Sequence, residues 1–149
     1  MKKLIFFLLS IITVQSFAQQ SPEKIYDLAC QSQDSLLSLI INGADTIPYD
    51  SITNTWQVKI FFKLSQPAQI DSVTIKLGTA QYLGDINTKD YPVTSLGNTF
   101  YLGANQVWGN SCMVPFSLNY TDYKSLKWIQ VRARDVGGLT TQTVYYQQQ

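Results

Sequence analysis

Residues 55–64 read TWQVKIFFKL, and this stretch decides the fold class. Its even positions, from Trp56 to Leu64, are all apolar, whereas its odd positions are polar apart from Phe61. Period-two alternation of this length is typical of a β-strand that buries one face. We therefore predict a strand here whose even-numbered side chains enter a core.

Similar alternation recurs downstream and extends the prediction to most of the chain. It marks further strands at 72–77, 100–102, 114–118, 128–134 and 139–146. The first of these runs and the strand at 55–64 are expected to be an adjacent pair. Glycines and prolines interrupt residues 79–112 at short intervals, so strands there should be short. Pro115 predicts that its strand lies at a sheet edge.

An apolar run at 35–41 fits either a strand or a helix, and Asn42-Gly43 ends it with a turn. We interpret it as a strand because the sequence that follows alternates. About seven short strands then lie within 35–149, which is typical of an all-β domain built as a two-sheet sandwich.

The residues before this domain, 19–34, are expected to form a short lead-in. Ser21 followed by Pro22 is a typical helix start, with serine as the cap and proline in the first turn. Ile25 and Leu28 then share one helical face. We predict a short helical segment here.

Residues 1–18 have the layout of a secretory signal peptide. Two lysines precede an apolar run at 4–14, and small residues at 16 and 18 precede a cleavage site expected after Ala18. A run of about eleven apolar residues is too short to span a bilayer, which needs roughly 20. We expect a bacterial protein that is secreted or periplasmic and has no stable transmembrane anchor.

The charge of the exported part argues against nucleic-acid binding. The chain has 11 basic and 10 acidic residues, and two of the basic ones leave with the signal peptide, which gives 9 basic, 10 acidic and a net charge of −1. Proteins that bind nucleic acids need clustered positive charge to contact phosphates. No such cluster occurs here.

The residue types also argue against catalysis. The chain contains no histidine, which removes the commonest general base and the preferred zinc ligand. Asp85, Asn87 and Asp90 offer oxygen ligands for calcium, but they lack the glycine and terminal glutamate of an EF-hand loop. A polar surface loop is the preferred interpretation. We predict that the protein is not an enzyme and holds no metal or cofactor.

Cys30 and Cys112 are the two cysteines of the chain. In an oxidising compartment an even pair suggests one disulfide, which makes Cys30–Cys112 the candidate bridge. Two separate buried thiols are the alternative.

Aromatic residues near loops are the best candidates for a binding site. Trp108 lies in a polar segment flanked by Gly103 and Gly109, and several tyrosines and amides lie in or near similar segments. Such rings can stack on sugars or anchor a protein interface. The alternative is that Trp108 folds back as a plug over one end of the sandwich. The candidate ligand-binding residues are Trp108, Tyr82, Tyr91, Tyr101, Asn105 and Asn110.

Four triplets of the form Asp-(Ser/Thr)-aliphatic occur at 34–36, 45–47, 50–52 and 71–73. They resemble an O-glycosylation signal on exported proteins of some Gram-negative bacteria. Local hydrogen bonding at strand starts is the preferred interpretation.

The end of the chain resembles a known superfamily. Residues 128–138, WIQVRARDVGG, and the Thr-rich run at 139–146 resemble the last hairpin of immunoglobulin-like and fibronectin type III-like domains. The strand around Trp56 resembles their second strand and 72–77 their third. The resemblance implies an immunoglobulin-like sandwich. Lys127 stands where the fibronectin pattern has its corner tyrosine, which leaves that role to Tyr120 or Tyr123.

Domains of this kind serve adhesion, ligand binding and assembly, so the fold alone does not select a function. We expect an exported, non-catalytic binding or adhesion module that recognises a glycan or a cell-envelope protein through its loop aromatics. The alternative is a structural or assembly subunit that associates through an exposed edge strand, either around Pro115 or at 139–146.

Overall fold

The computed structural model describes residues 20–32 and 55–148. The signal peptide predicted at 1–18 and the strand predicted at 35–41 lie outside these residues. Three of the four Asp-(Ser/Thr)-aliphatic triplets also lie outside them.

Nine β-strands dominate the described residues, together with one short α-helix and one turn of 3-10 helix, which confirms the all-β class. In chain order the elements are β1 (Ile25–Ser32), β2 (Trp56–Leu64), the 3-10 turn (Pro67–Gln69), β3 (Ile70–Gly78), β4 (Asn87–Leu96), β5 (Thr99–Leu102), β6 (Asn105–Val107), β7 (Ser111–Leu118), α1 (Tyr120–Ser125), β8 (Trp128–Asp135) and β9 (Val144–Gln147).

These strands form two antiparallel sheets that pack as a sandwich. The smaller sheet has the order β1-β2-β7, and the larger has the order β6-β5-β4-β3-β8-β9. The prediction that β2 and β3 are an adjacent pair is wrong. They lie in different sheets, because the 3-10 turn Pro67–Gln69 carries the chain across the sandwich.

Strand β2 supplies the centre of the core. Val58, Ile60 and Leu64 have no exposed surface and Phe62 is 2% exposed, so the predicted alternation is confirmed. Burying each such side chain stabilises the fold by about 1.5–3 kcal/mol relative to leaving it exposed. The larger sheet contributes fully buried residues from β3 and β8, which are Val73, Ile75, Leu77, Ile129 and Val131.

The short helix predicted after Pro22 is wrong, because residues 25–32 form strand β1. A bulge explains the error. Asp27 has a φ of 52°, and the pairing of β1 with β2 shifts between Tyr26 and Ala29. The extra residue makes Ile25 and then Leu28 contact the core, three positions apart. That spacing is the one that an amphipathic helix would show.

Two downstream strands differ in length from their predictions. The ten-residue strand β4 replaces the expected short ones, because its first part pairs with β3 and its last four residues pair with β5. The last strand begins at Val144 and not at 139. In the residues before Val144, the backbone N–H of Ala133 donates to the side-chain hydroxyl of Thr141 at 3.0 Å. This side-chain bond replaces a backbone hydrogen bond of the sheet, so the regular pairing with β8 starts only at Val144. The edge position predicted from Pro115 is confirmed for the described strands, since β7 is an outer strand of the smaller sheet.

Helix α1 joins β7 to β8 across one end of the sandwich. The side chain of Asn119 caps it by accepting a hydrogen bond from the backbone N–H of Asp122 at 2.9 Å. Its Tyr123 is buried and stacks on Trp56, with ring centroids 4.9 Å apart. Within 20–32 and 55–148, no helix has the length and apolar character needed to cross a membrane.

Candidate functional site

The predicted ligand-binding residues do not form one site. Trp108 and Asn110 lie in the turn between β6 and β7, beside the end of β2, where the N–H of Leu64 donates to the carbonyl oxygen of Asn110 at 2.9 Å. Tyr82 lies in the loop that follows Gly78, at the far end of β3. Nine residues of strand separate the two ends by roughly 26 Å. Trp108, 72% exposed, and Tyr82, 67% exposed, therefore mark opposite ends of the sandwich.

Tyr91 is not a surface residue, which corrects the prediction. It sits on β4 opposite Val73, is 6% exposed, and meets the ring of Phe116 edge to face with centroids 6.3 Å apart. Burial raises the pKa of its phenol. The glycine turns on either side suggested a loop, but Tyr91 falls on the inward-facing side of a strand.

Tyr101 and Asn105 have places in the β5–β6 hairpin. Tyr101 is half-buried and pairs with Thr94 across the strands. The amide of Asn105 donates to the carbonyl oxygen of Leu102 at 3.2 Å, which closes the turn. Both residues lie near the first residues of β3, at the end of the larger sheet opposite Tyr82.

The disulfide predicted between Cys30 and Cys112 does not form, and both cysteines are free. They lie on β1 and β7, which flank β2 on opposite sides, with Cys30 opposite Ile60 and Cys112 opposite Phe62. Two strand spacings and a two-residue offset along the strand separate their Cα atoms by roughly 11–12 Å. A disulfide needs Cα atoms within about 7 Å. Burial raises the pKa of each thiol to about 12. The alternative of two separate thiols is the correct one.

A small concave surface lies on the outer face of the larger sheet, beside Tyr82. We call it the sheet groove. It has a volume of about 160 Å³, and it opens onto a wider polar depression of about 600 Å³ that runs over β3, β4 and β8. The sheet groove is lined by Thr74, Lys76, Tyr82, Gln130, Arg132, Thr143 and Tyr145.

Alternation along β3 and β8 places these polar side chains together. The odd residues are buried over 73–77 of β3 and 129–133 of β8, so the even ones between them lie on the outer face, where Gln130 is itself buried. The register then sets Thr74 opposite Arg132 and Lys76 opposite Gln130. Tyr145 of β9 lies opposite Gln130 in the next strand and extends the same row.

Tyr82 has an unusual backbone for a bulky residue. Its φ is 72°, in the left-handed region, where a residue with a side chain is destabilised by roughly 1–2 kcal/mol. Its ring meets Tyr145 edge to face, with centroids 5.3 Å apart and planes at 78°. Residues 80–83 form a β-turn in which the N–H of Leu83 donates to the carbonyl oxygen of Ala80 at 3.2 Å, and Tyr82 takes the position that has a positive φ. This turn leaves most of the aromatic ring in solvent, where it is available to a ligand.

Several contacts fix the loop that carries Tyr82. Buried Gln130 donates from Nε2 to the carbonyl oxygen of Leu83 at 2.7 Å. The carboxylate of Asp85 accepts from the N–H of Thr79 at 2.9 Å and from its hydroxyl at 2.7 Å, and these bonds lower the pKa of Asp85. A Cβ at Gly78 would lie 2.3 Å from the carbonyl oxygen of Leu83, so only glycine fits there. The loop therefore holds its aromatic residue in place before any ligand arrives.

On this face of the larger sheet, some charged side chains have a partner and others do not. Arg134 forms an ion pair with Asp71, and the hydroxyl of Thr74 donates to Asp90 at 2.5 Å. Lys76 and Arg132 border the sheet groove, and in the described part of the chain neither has an ion-pair or hydrogen-bond partner. The groove therefore offers two uncompensated cations. Asp85 and Asp90, considered as calcium ligands, each bond a different threonine.

Of the residues that line the sheet groove, the sequence prediction included Tyr82 but not Lys76, Arg132 or Gln130, which fall at even positions of the alternating runs 72–77 and 128–134. What it lacked was the pairing of β3 with β8, which brings those positions together. Comparison of the chain with protein-family models, with curated proteins and with solved structures found no match.

Proposed function

We propose that this protein is an exported, non-catalytic binding module that recognises a glycan in the sheet groove, with Tyr82 as its stacking platform. The observation that carries the proposal is the exposed ring of Tyr82, held in a β-turn beside a polar groove. Binding sites are commonly preformed, since a fixed site loses less conformational entropy when the ligand arrives.

The groove supplies the two kinds of contact that a sugar needs. The apolar face of a sugar ring can stack on Tyr82, whose own position is supported by Tyr145. Hydroxyl groups of the sugar can bond the side chains of Thr74 and Thr143, which line the same groove.

We also propose that the sandwich is of the immunoglobulin-like type. Support comes from the strand order. The strands that resemble the second and third strands of that family, β2 and β3, lie in different sheets, and β3 pairs with the last hairpin, β8 and β9. In the immunoglobulin fold the third strand likewise shares a sheet with the last two. Buried Tyr123, stacked on Trp56, is our candidate for the corner tyrosine.

Assembly through an edge strand has less support than glycan binding. Pro115 lies in the middle of β7 and lacks the N–H that an added strand would bond, which is a common protection of sheet edges. Strand β9, at an edge of the larger sheet as described, has only four residues. We therefore place the binding site on the sheet face and not on an edge.

The proposal is tested with protein purified from cells that export it. A panel of immobilised glycans identifies a ligand, and calorimetry then compares Tyr82→Ala with Trp108→Ala. Trp108→Ala is the control, because Trp108 is also an exposed aromatic residue in a loop but lies at the opposite end of the sandwich. We expect Tyr82→Ala to weaken binding at least tenfold, about 1.4 kcal/mol, and Trp108→Ala to leave it unchanged. The opposite result would move the site to the Trp108 end, and binding to no glycan would reject the proposal.

A further inference from the structure

We infer that the ligand of the sheet groove is an acidic glycan, one that carries a carboxylate or a sulfate; this inference rests on the proposed function. It is drawn from Lys76 and Arg132, which border the groove and have no partner among the described residues.

The register places these two cations close together. Thr74 pairs with Arg132 and Lys76 with Gln130, so Lys76 and Arg132 are diagonal neighbours on adjacent antiparallel strands. Diagonal neighbours have Cα atoms about 7–8 Å apart. Like charges at this separation repel each other, and an anion between them removes the repulsion. The pair therefore forms a site for one negative group.

The carboxylates nearby are already engaged. Asp71 pairs with Arg134, and Asp85 accepts two hydrogen bonds from Thr79. Asp90 accepts from Thr74 and lies two strand spacings, roughly 9–10 Å, from Arg132. It is a diagonal neighbour of Lys76 on β4, but the two form no ion pair. None of these acids forms an ion pair with Lys76 or Arg132, so both cations remain available to an anion from outside.

The chemistry of the two cations suits an acidic sugar. A guanidinium such as that of Arg132 binds a carboxylate or sulfate through two parallel hydrogen bonds, and an ammonium such as that of Lys76 adds a point charge. Tyr82 borders the same groove, so a sugar ring can stack on it while its acidic group reaches the cations. An acidic sugar thus uses all the elements of the groove, whereas a neutral one leaves the cations uncompensated.

The test compares acidic oligosaccharides with uncharged oligosaccharides of the same backbone. Oligogalacturonate is compared with its methyl ester, and dextran sulfate oligosaccharides with dextran, by calorimetry at 0.15 M salt. These arms distinguish a carboxylate from a sulfate. We expect one acidic member to bind at least tenfold more tightly than its uncharged counterpart. Arg132→Gln should abolish that preference, and Arg134→Gln, which removes the same charge from the same strand, should retain it because Arg134 is already paired.

The outcomes separate the inference from the proposed function. If acidic and uncharged oligosaccharides bind equally and Tyr82→Ala weakens both, the glycan-binding function stands and the acidic ligand is rejected. An equal loss of preference in Arg132→Gln and Arg134→Gln would show general charge attraction and would also reject it. If none of these sugars or any other glycan binds, both proposals fail. Circular dichroism of each variant confirms that it is folded.

Discussion

The side-chain amide of Gln130 donates a 2.7 Å hydrogen bond to the carbonyl oxygen of Leu83, and this bond joins β8 to the loop that presents Tyr82. The amide is buried, so the bond is shielded from water. It ties the loop that carries Tyr82 to strand β8 of the larger sheet.

Replacing Gln130 with Leu should release this loop without unfolding the domain. A single hydrogen bond contributes about 0.5–1.5 kcal/mol, so we expect a small loss of global stability. Hydrogen exchange should rise at residues 79–86, and affinity for the ligand should fall. Gln57→Leu is the control, because Gln57 donates to Ser117 on the smaller sheet and should leave exchange in the loop unchanged. Unaltered exchange at 79–86 in Gln130→Leu would show that the bond does not hold the loop.

Acid should destabilise the fold partly through Asp135. Partial desolvation acts to raise the pKa of Asp135, but hydrogen bonds from Ser21 and from the N–H groups of Leu139, Gly137 and Gly138 outweigh it and lower the pKa. A carboxyl whose pKa is lower in the folded state adds stability above its unfolded pKa, near 4, and this stability is lost as the pH falls through the folded pKa. Denaturation curves between pH 2 and 7 should show a smaller acid loss for Asp135→Asn.

Ser21→Ala should have an acid sensitivity between that of the wild type and that of Asp135→Asn. It keeps the carboxyl and its three backbone donors but removes the serine hydroxyl, so the pKa of Asp135 measured by NMR should rise partway toward its usual value. Identical acid midpoints for the wild type and Asp135→Asn would exclude Asp135 as a contributor.

The cysteines should be unreactive in the folded protein. Because burial raises the pKa of Cys30 and Cys112 to about 12, almost no thiolate is present at pH 8. A thiol reagent should modify both residues only after denaturation, and reducing agent should leave the melting temperature unchanged. A native mass lower by two hydrogens would instead show a disulfide.

The bulge in β1 should tolerate some substitutions of Asp27 and resist others. Asp27 has a φ of 52°, which asparagine adopts readily and β-branched residues do not. We expect Asp27→Val to lower the free energy of unfolding by about 1–2 kcal/mol more than Asp27→Asn. Both variants lose the 2.8 Å ion pair with Lys63, which is exposed and contributes little, so the difference between them reports mainly the backbone. Equal stability of the two variants would contradict this account of the bulge.

Local pattern predicted the individual strands better than their partners. Strands such as β2 and β8 could be predicted because period-two alternation is recorded in neighbouring residues. β1 could not, because one inserted residue at Asp27 changes its spacing to a helical one. Tyr91 was misplaced because glycine turns close to it suggested a loop. The cations of the groove were missed for a different reason, since only the pairing of two distant strands brings Lys76 to Arg132.

The positions of Trp108 and Tyr82 at opposite ends of the sandwich allow the protein to be attached to a sensor in one orientation. Asn110 lies beside Trp108 on an exposed turn, so Asn110→Cys would add a fully accessible thiol, whereas Cys112 is buried and Cys30 is half-buried with a raised pKa. Coupled through that position, every molecule on the chip would present its sheet groove to the flowing solution. Affinities of variants could then be compared without the loss of binding capacity that occurs when some molecules are attached through the binding face.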